Sequence, residues 1–127
     1  MFSFRGEKMK IAIAGSRSID VPIPEGIIPD NATQIISGGA RGIDTRAREY
    51  ALSHRVQIME ILPEYNLYGR SAPLRRNDWI IRLCDKVYVF WDGKSRGAHY
   101  MIKESRKAGK EVNVYLWNGI SFQKADI

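Results

Sequence analysis

The amino-acid sequence predicts an α/β protein with a doubly wound, mainly parallel five-stranded sheet, and three observations carry that prediction. Short apolar runs alternate along the chain with segments of helical periodicity. Glycine-rich turns follow several of the runs, and prolines fall where strands end or helices begin. Strands alternating with helices imply parallel pairing through crossover connections. Right-handed crossovers then place helices on both faces of the sheet.

Taken in order, Ile11 to Ala14 (IAIA) is an apolar run that stops at Gly15 and reads as a buried strand. The stretch Arg17 to Ala32 interrupts the pattern. Pro22, Pro24 and Pro29 exclude a long regular helix, so the connection after strand one is irregular over residues 20–30. Within it Val21, Ile23, Ile27 and Ile28 either cover one sheet face or form a contact surface for a second subunit. Thr33 to Ser37 (TQIIS) is the second strand, stopping at Gly38-Gly39. Arg41 to Ser53 is helical, because Ile43, Ala47, Tyr50 and Ala51 fall on one face. Val56 to Ile61 is the third strand, ended by Pro63, and a polar loop is expected from Glu64 to Ala72. Pro73 suits the first turn of a helix that runs to about Cys84. Lys86 to Trp91 is the fourth strand, Asp92 to Gly97 a turn, and Ala98 to Lys107 a helix with Gly109 just past its end. Val112 to Leu116 is the fifth strand. The expected strand order, by analogy, is 3-2-1-4-5, the Rossmann-like arrangement. Trp79 and Trp117 are expected to pack, and Cys84 to serve as a small buried apolar residue.

At 127 residues the chain is expected to form a single domain over 1–127, with its core at about 10–116. Hydrophobic content of 44% and charged content of 27% are ordinary for a globular protein. No apolar run approaches a membrane span, and Met1 to Lys10 lacks the apolar stretch of a signal peptide, so a cytoplasmic protein without a membrane partner is expected. The single cysteine excludes an internal disulfide and a cysteine cluster for metal, and with His54 and His99 as the whole histidine complement a histidine-rich metal site is not expected. A formal net charge of +6 favours an anionic partner without naming it.

In an open parallel sheet, ligands bind beyond the carboxyl ends of the strands. Four segments meet there. Gly15-Ser16-Arg17 offers close backbone approach, a hydroxyl and a forked cation suited to phosphate. Gly38-Gly39-Ala40-Arg41-Gly42-Ile43-Asp44 joins a strand to a helix and leaves amides free to meet an anion at the helix N-terminus. Asp44 there either binds ribose hydroxyls or complements the helix dipole. Glu64 to Arg70 leads to Arg75-Arg76-Asn77, with Tyr68 a candidate to stack on a base or sugar and Arg76 a candidate for phosphate. Trp91-Asp92-Gly93-Lys94-Ser95-Arg96-Gly97 repeats the logic of the second loop. Arg17, Arg41, Arg76, Lys94 and Arg96 all fall on one predicted edge of the sheet, which favours an anion site over simple solubility.

These segments together (GSR, SGGARGID, YGR with a following RRN, and FWDGKSRGA) resemble the small YspA-related branch of the SLOG superfamily over roughly Lys10 to Tyr115. That superfamily also contains the LOG phosphoribohydrolases and the DNA-processing protein A proteins. The resemblance implies a Rossmann-like fold that binds nucleotides or nucleotide-derived ligands, with homodimerisation plausible. LOG enzymes remove the base from a nucleoside monophosphate, using an arginine before strand four and a PGG-x-GT-x-x-E segment after it. Arg76 matches the arginine, and Gly93 and Gly97 match glycines. Anchoring on Gly97 puts Met101 where the catalytic glutamate stands, and a thioether performs no acid or base catalysis.

The leading expectation is therefore a binding module for a nucleotide or other phosphorylated ribose ligand, a sensor or carrier, with Arg17, Gly39, Arg41, Ser95 and Arg96 at the phosphates. The first alternative is a LOG-like nucleotide N-glycosidase in which Arg76 orients the substrate and Glu64, Asp44 or Asp92 supplies the missing carboxylate. The second is nucleic-acid binding, ranked last because no helix-turn-helix, RNP or zinc-finger pattern is present. No cofactor is required. Magnesium accompanying a phosphate ligand is compatible, with Asp92 or Asp44 nearest.

Overall fold

The computed structural model of the protein describes residues 8–127, so the part of the signal-peptide expectation that concerns residues 1–7 lies outside them. Six strands, β1 (Lys10–Gly15), β2 (Gln34–Ser37), β3 (Gln57–Glu60), β4 (Lys86–Trp91), β5 (Glu111–Trp117) and β6 (Phe122–Ala125), form one sheet in the order β3-β2-β1-β4-β5-β6. The first five pair in parallel and β6 runs antiparallel to β5. The predicted order 3-2-1-4-5 is present, and the predicted five strands are corrected to six. The sixth needs only a tight turn. Asn118 Oδ1 accepts from the amides of Ile120 and Ser121 at 2.8 Å each, and Phe122 then reaches the rings of Phe90 and Trp117. A four-residue strand with one large apolar side chain carries almost no periodicity to read.

Strand alternation divides the core. Ile11 and Ile13 of β1 point to one face, and Ala12 to the other. The first face is covered by α1 (Ile43–Ser53) through Ile43, Ala47 and Ala51, and by Ile19, Ile23 and Ile28 of the proline-rich connection. Of the two readings of that connection, covering the sheet is the one observed. Each isoleucine so buried contributes about 1.5–3 kcal/mol, so an irregular segment does the work of a helix. Polar contacts fix its path. Arg46 donates from Nε to Asp20 Oδ1 at 3.0 Å and from Nη2 to the Asp20 carbonyl at 3.0 Å, and His54 Nε2 lies 2.7 Å from Glu25 Oε1.

The second face packs on α3 (Ala72–Leu83) and α4 (Arg96–Lys107), with Ile80, Ile81, Cys84, Ala98, Met101 and Ile102 against Ile36, Val87 and Val89. The polar loop expected from Glu64 to Ala72 is instead the one-turn helix α2 (Tyr65–Tyr68) followed by a 3-10 turn (Gly69–Ser71) that runs into α3. It is too short to show helical periodicity. Trp117 packs as expected. Trp79 does not: it is 50% exposed, because the inward face of α3 is taken by Ala72, Arg76 and Ile80 at four-residue spacing. Among the described residues no helix is long and apolar enough to cross a membrane.

Candidate functional site

The carboxyl ends of β1, β2 and β4 open on one cavity of about 490 Å³, within the usual range for small-molecule sites. It lies where the strand order reverses, between β1 and β4, as the doubly wound rule requires.

The loops after β1 and β4 are stitched together. Ser16 is buried and its amide donates to the Phe90 carbonyl at 3.0 Å. Its Oγ accepts from the Asp92 amide at 2.9 Å and sits 3.0 Å from Ser95 Oγ. Asp92 Oδ1 accepts from the amides of Lys94 and Ser95 at 2.8 Å each, and its Oδ2 accepts from Ser18 Oγ at 2.7 Å. Burial pushes the Asp92 carboxyl up, but the bonds from Ser18 and the two amides outweigh it and hold the group at about 2. Asp92 is thus an ionised turn-former whose lone pairs are largely engaged. α4 begins where this turn ends and carries no side-chain cap, and Ser95, Gly97 and Ala98 at its start line the cavity.

The second wall is the glycine-rich connection from β2 to α1. Gly42 has φ +75°, and a Cβ there would meet Arg17 Cα at 2.7 Å and the carbonyl of Ser16 at 2.7 Å, so only glycine lets the two loops lie against each other. α1 also starts without a side-chain cap. Arg17 and Arg41 both line the cavity, and among the described residues neither forms an ion pair. The first amide of α1, on Ile43, donates to the Ser16 carbonyl at 3.4 Å, so the uncapped start of α4 and two guanidiniums share the opening.

The floor is polar and buried. Asp44, 8% exposed, accepts from the Ala40 amide at Oδ2, 3.1 Å away. Burial pushes its carboxyl up, against the lowering pull of that bond and of Arg76. Arg76, also 8% exposed, donates from Nη1 to the carbonyls of Gly38 and of Ile61, the latter at 3.2 Å, and from Nε to Asn77 Oδ1 at 2.9 Å. It thereby fastens the chain leaving β2 to the chain leaving β3. Burial pulls the Arg76 guanidinium down from its ordinary value. A Cβ on Gly38 would meet Arg76 Cζ at 2.6 Å and Asp44 Oδ2 at 3.0 Å, so the absent side chain is what admits both.

Of the candidate residues read from sequence, Gly15, Arg17, Gly38, Arg41, Asp44, Arg76, Asp92, Ser95 and Gly97 line the cavity. Ser16 lies beneath it, and Gly39, Gly42 and Gly93 shape its loops. Lys94, Arg96, Tyr68 and Glu64 do not line it. Lys94 and Arg96 are exposed beyond the turn that Asp92 forms. Tyr68 is on the outer side of the α2–α3 corner, with Arg75 Cζ 5.3 Å above its ring, and exposed Glu64 precedes the same corner. Sequence reasoning missed Ser18 and Asn77, and also the apolar wall of Pro73, Leu74 and Ile80. The four-residue spacing of Ala72, Arg76 and Ile80 was the available signal for that wall. Met101 was named only as a substituted glutamate, and it does face the cavity. Among the described residues no group of three or more His, Cys, Asp or Glu could hold a metal ion.

No protein-family model matches the chain. The Gene 61 protein of Mycobacterium phage D29 is 31% identical over 84 residues, a span of 61% of this chain and 67% of that protein. The X-ray structure of DNA processing protein A (DprA) from Streptococcus pneumoniae superposes with a TM-score of 0.64 at 21% identity, over 90% of this chain and 52% of that one. The chain belongs to one family with the phage Gene 61 protein. With DprA it shares the fold, spanning about half of DprA's length. The SLOG motifs quoted from the sequence fall at the cavity in GSR, SGGARGID and WDGKSRGA, whereas YGR lies outside it.

Proposed function

We propose that this protein binds a nucleotide, or a nucleotide-derived phosphorylated ribose, in the cavity at the carboxyl ends of β1, β2 and β4, and acts as a sensor or carrier. The observation that carries the proposal is the convergence of the uncapped start of α4 with Arg17 and Arg41, neither ion-paired among the described residues, on one cavity of ligand size. The opposite wall, Leu74, Ile80 and Met101, is apolar and suits a base. Hydrolysis is the weaker reading. Asp92 is engaged by three donors and Met101 offers no acid, so of the cavity's lining Asp44 is the one carboxylate with an open oxygen. A single domain over 1–127, homodimerisation, a cytoplasmic location and independence of a cofactor, with magnesium at most accompanying a phosphate, belong to the same proposal.

The test is retention of ligands from a mixture of mononucleotides, NAD, ADP-ribose and cyclic oligonucleotides, separated by ultrafiltration and identified by mass spectrometry. A retained, unchanged nucleotide whose binding falls about tenfold or more in Arg41→Ala supports the proposal. Retention of none overturns it, and release of free base moves the protein to the N-glycosidase class.

A specific observation favours a second reading, nucleic-acid binding. Tyr68, Arg75, Trp79 and Arg82 form an exposed strip of alternating rings and guanidiniums on α2 and α3, with Arg82 Cζ 5.0 Å above the Trp79 ring. DprA, the structural neighbour, is described as a DNA processing protein. A gel shift with single-stranded DNA at low salt, lost in Trp79→Ala, supports this reading. An empty shift removes it.

A further inference from the structure

The floor of the cavity has a chemistry that the phosphate site does not explain. Asp44 is more than nine-tenths buried and lines the cavity, yet among the described residues its Oδ1 accepts no hydrogen bond. That oxygen is not sealed in the interior either, since among the described residues Ser105 Oγ alone is both sealed and unpartnered. Arg76 is equally buried and lines the same floor. Its Nη1 and Nε are engaged, and its Nη2 donates to nothing among the described residues. The two side chains meet at Gly38, so one unengaged acceptor and one unengaged donor belong to the same stretch of the cavity floor.

A carboxylate at this depth repels phosphate and accepts hydrogen bonds from neutral donors. A guanidinium N–H beside it donates to the oxygen of the same hydroxyl. Arg17, Arg41 and the start of α4 line the same cavity and attract an anion. The lining therefore offers both anion-binding groups and groups suited to neutral hydroxyls. Resting on the nucleotide reading above, we propose that Asp44 and Arg76 read the ribose hydroxyls of the bound nucleotide and make the site selective for ribonucleotides over 2′-deoxyribonucleotides. A ligand lacking the 2′-hydroxyl leaves Asp44 buried and unpaired, which weakens binding by roughly 10–100-fold.

A purely structural Asp44 predicts the opposite stability change on neutralisation. Burial raises the Asp44 carboxyl in the fold, so the folded state holds that proton more tightly than the unfolded chain does. This contribution favours the fold below the unfolded value and is lost as pH rises through the folded one. Above the folded value the ionised group thus opposes folding of the empty protein. Asp44→Asn keeps an oxygen for the Ala40 amide and removes the charge, so its melting temperature should equal or exceed that of the wild type.

The experiment measures affinities for the four ribonucleoside 5′-monophosphates and their 2′-deoxy counterparts on wild type, Asp44→Asn and Arg41→Ala, with melting curves of each empty protein. The expected result is a ribose preference of 10–100-fold in wild type, erased in Asp44→Asn and kept in Arg41→Ala, which weakens both series together. Equal affinity for both series in wild type, or an undiminished preference in Asp44→Asn, overturns the ribose inference and leaves the nucleotide site standing. No binding of either series overturns both. Should Asp44→Asn fail to fold, the structural role is established for it and the wild-type preference alone decides the selectivity.

Discussion

Replacing Arg76 by methionine removes the fastening between the ends of β2 and β3 while keeping most of the side chain's volume. Nη1 donates to the carbonyls of Gly38 and Ile61. Bonds from a charged donor contribute about 1.5–3 kcal/mol each, so the gross loss is about 3–6 kcal/mol. Against this, the fold no longer carries a desolvated guanidinium, the burden that pulls Arg76 down from its ordinary value. Asp44 loses its nearest counter-charge and offsets part of that relief. The net is a loss of about 2–3 kcal/mol. For a chain of this size each kcal/mol lowers the melting temperature by roughly 3–5 °C, giving a drop of roughly 6–15 °C. Thermal unfolding followed by near-ultraviolet circular dichroism measures it, and urea unfolding should show a lower midpoint at an unchanged m-value. Arg76→Lys supplies a point charge that reaches one carbonyl, not two, and should recover about half the loss. An Arg76→Met protein melting within about 2 °C of wild type would refute the reasoning, since Arg76 would then contribute nothing to joining the strand ends.

Two further predictions follow from titratable contacts. Asp92→Ala removes three donor–acceptor pairs of the β4–α4 turn and should cost about 1–2 kcal/mol together with most ligand affinity. In wild type the turn's contribution, held above the unfolded carboxyl value, should be lost only as pH falls towards about 2, seen as a late Asp92 carboxyl shift by NMR. His54 is raised by its bond to Glu25, so its pinning of the proline-rich connection is present at acid pH and lost as pH rises through its folded value. Proteolysis within residues 20–30 should therefore accelerate as pH rises above the ordinary imidazole value of 6.5 in wild type and be pH-independent in His54→Gln. A flat wild-type profile would show that Ile19, Ile23 and Ile28 hold the segment without help.

What the sequence made legible depended on length of signal. The runs IAIA, TQIIS, KVYVFW and VNVYL are each apolar on both sheet faces or bounded by turn residues, so the central strands could be read, their order came by analogy, and Ile43, Ala47 and Ala51 marked the buried face of α1. Elements of four residues could not: α2 and β6 are set by their neighbours, α2 by the corner into α3 and β6 by the contact of Phe122 with Phe90. In the site, loop composition brought Gly15, Arg17, Gly38, Arg41 and Ser95 to the cavity lining, because glycine and cation types are demanded by close backbone approach and by anions. It also pointed to Lys94, Arg96 and Tyr68, which do not line the cavity, since a residue's type does not disclose which way a turn directs it. The Asp92 side chain folds back on its own loop and carries Lys94 outward with it.

The distribution of charge bears on function more than its total. The chain is formally +6, yet Arg46 and Arg48 are spent in ion pairs with Asp20, Glu49 and Glu60. Arg76 is spent largely on carbonyls. The cations left at the cavity are Arg17 and Arg41, on the two loops that Gly42 allows to touch. A surface selected for solubility has no use for two unpaired arginines facing one concavity, nor for a buried carboxylate that opposes folding on its floor. Both become intelligible together if the partner supplies an anion and hydroxyls. That pairing of demands is what the proposed ribose phosphate offers, and the side chains that would meet it come from four separate loops and helices rather than from a single motif.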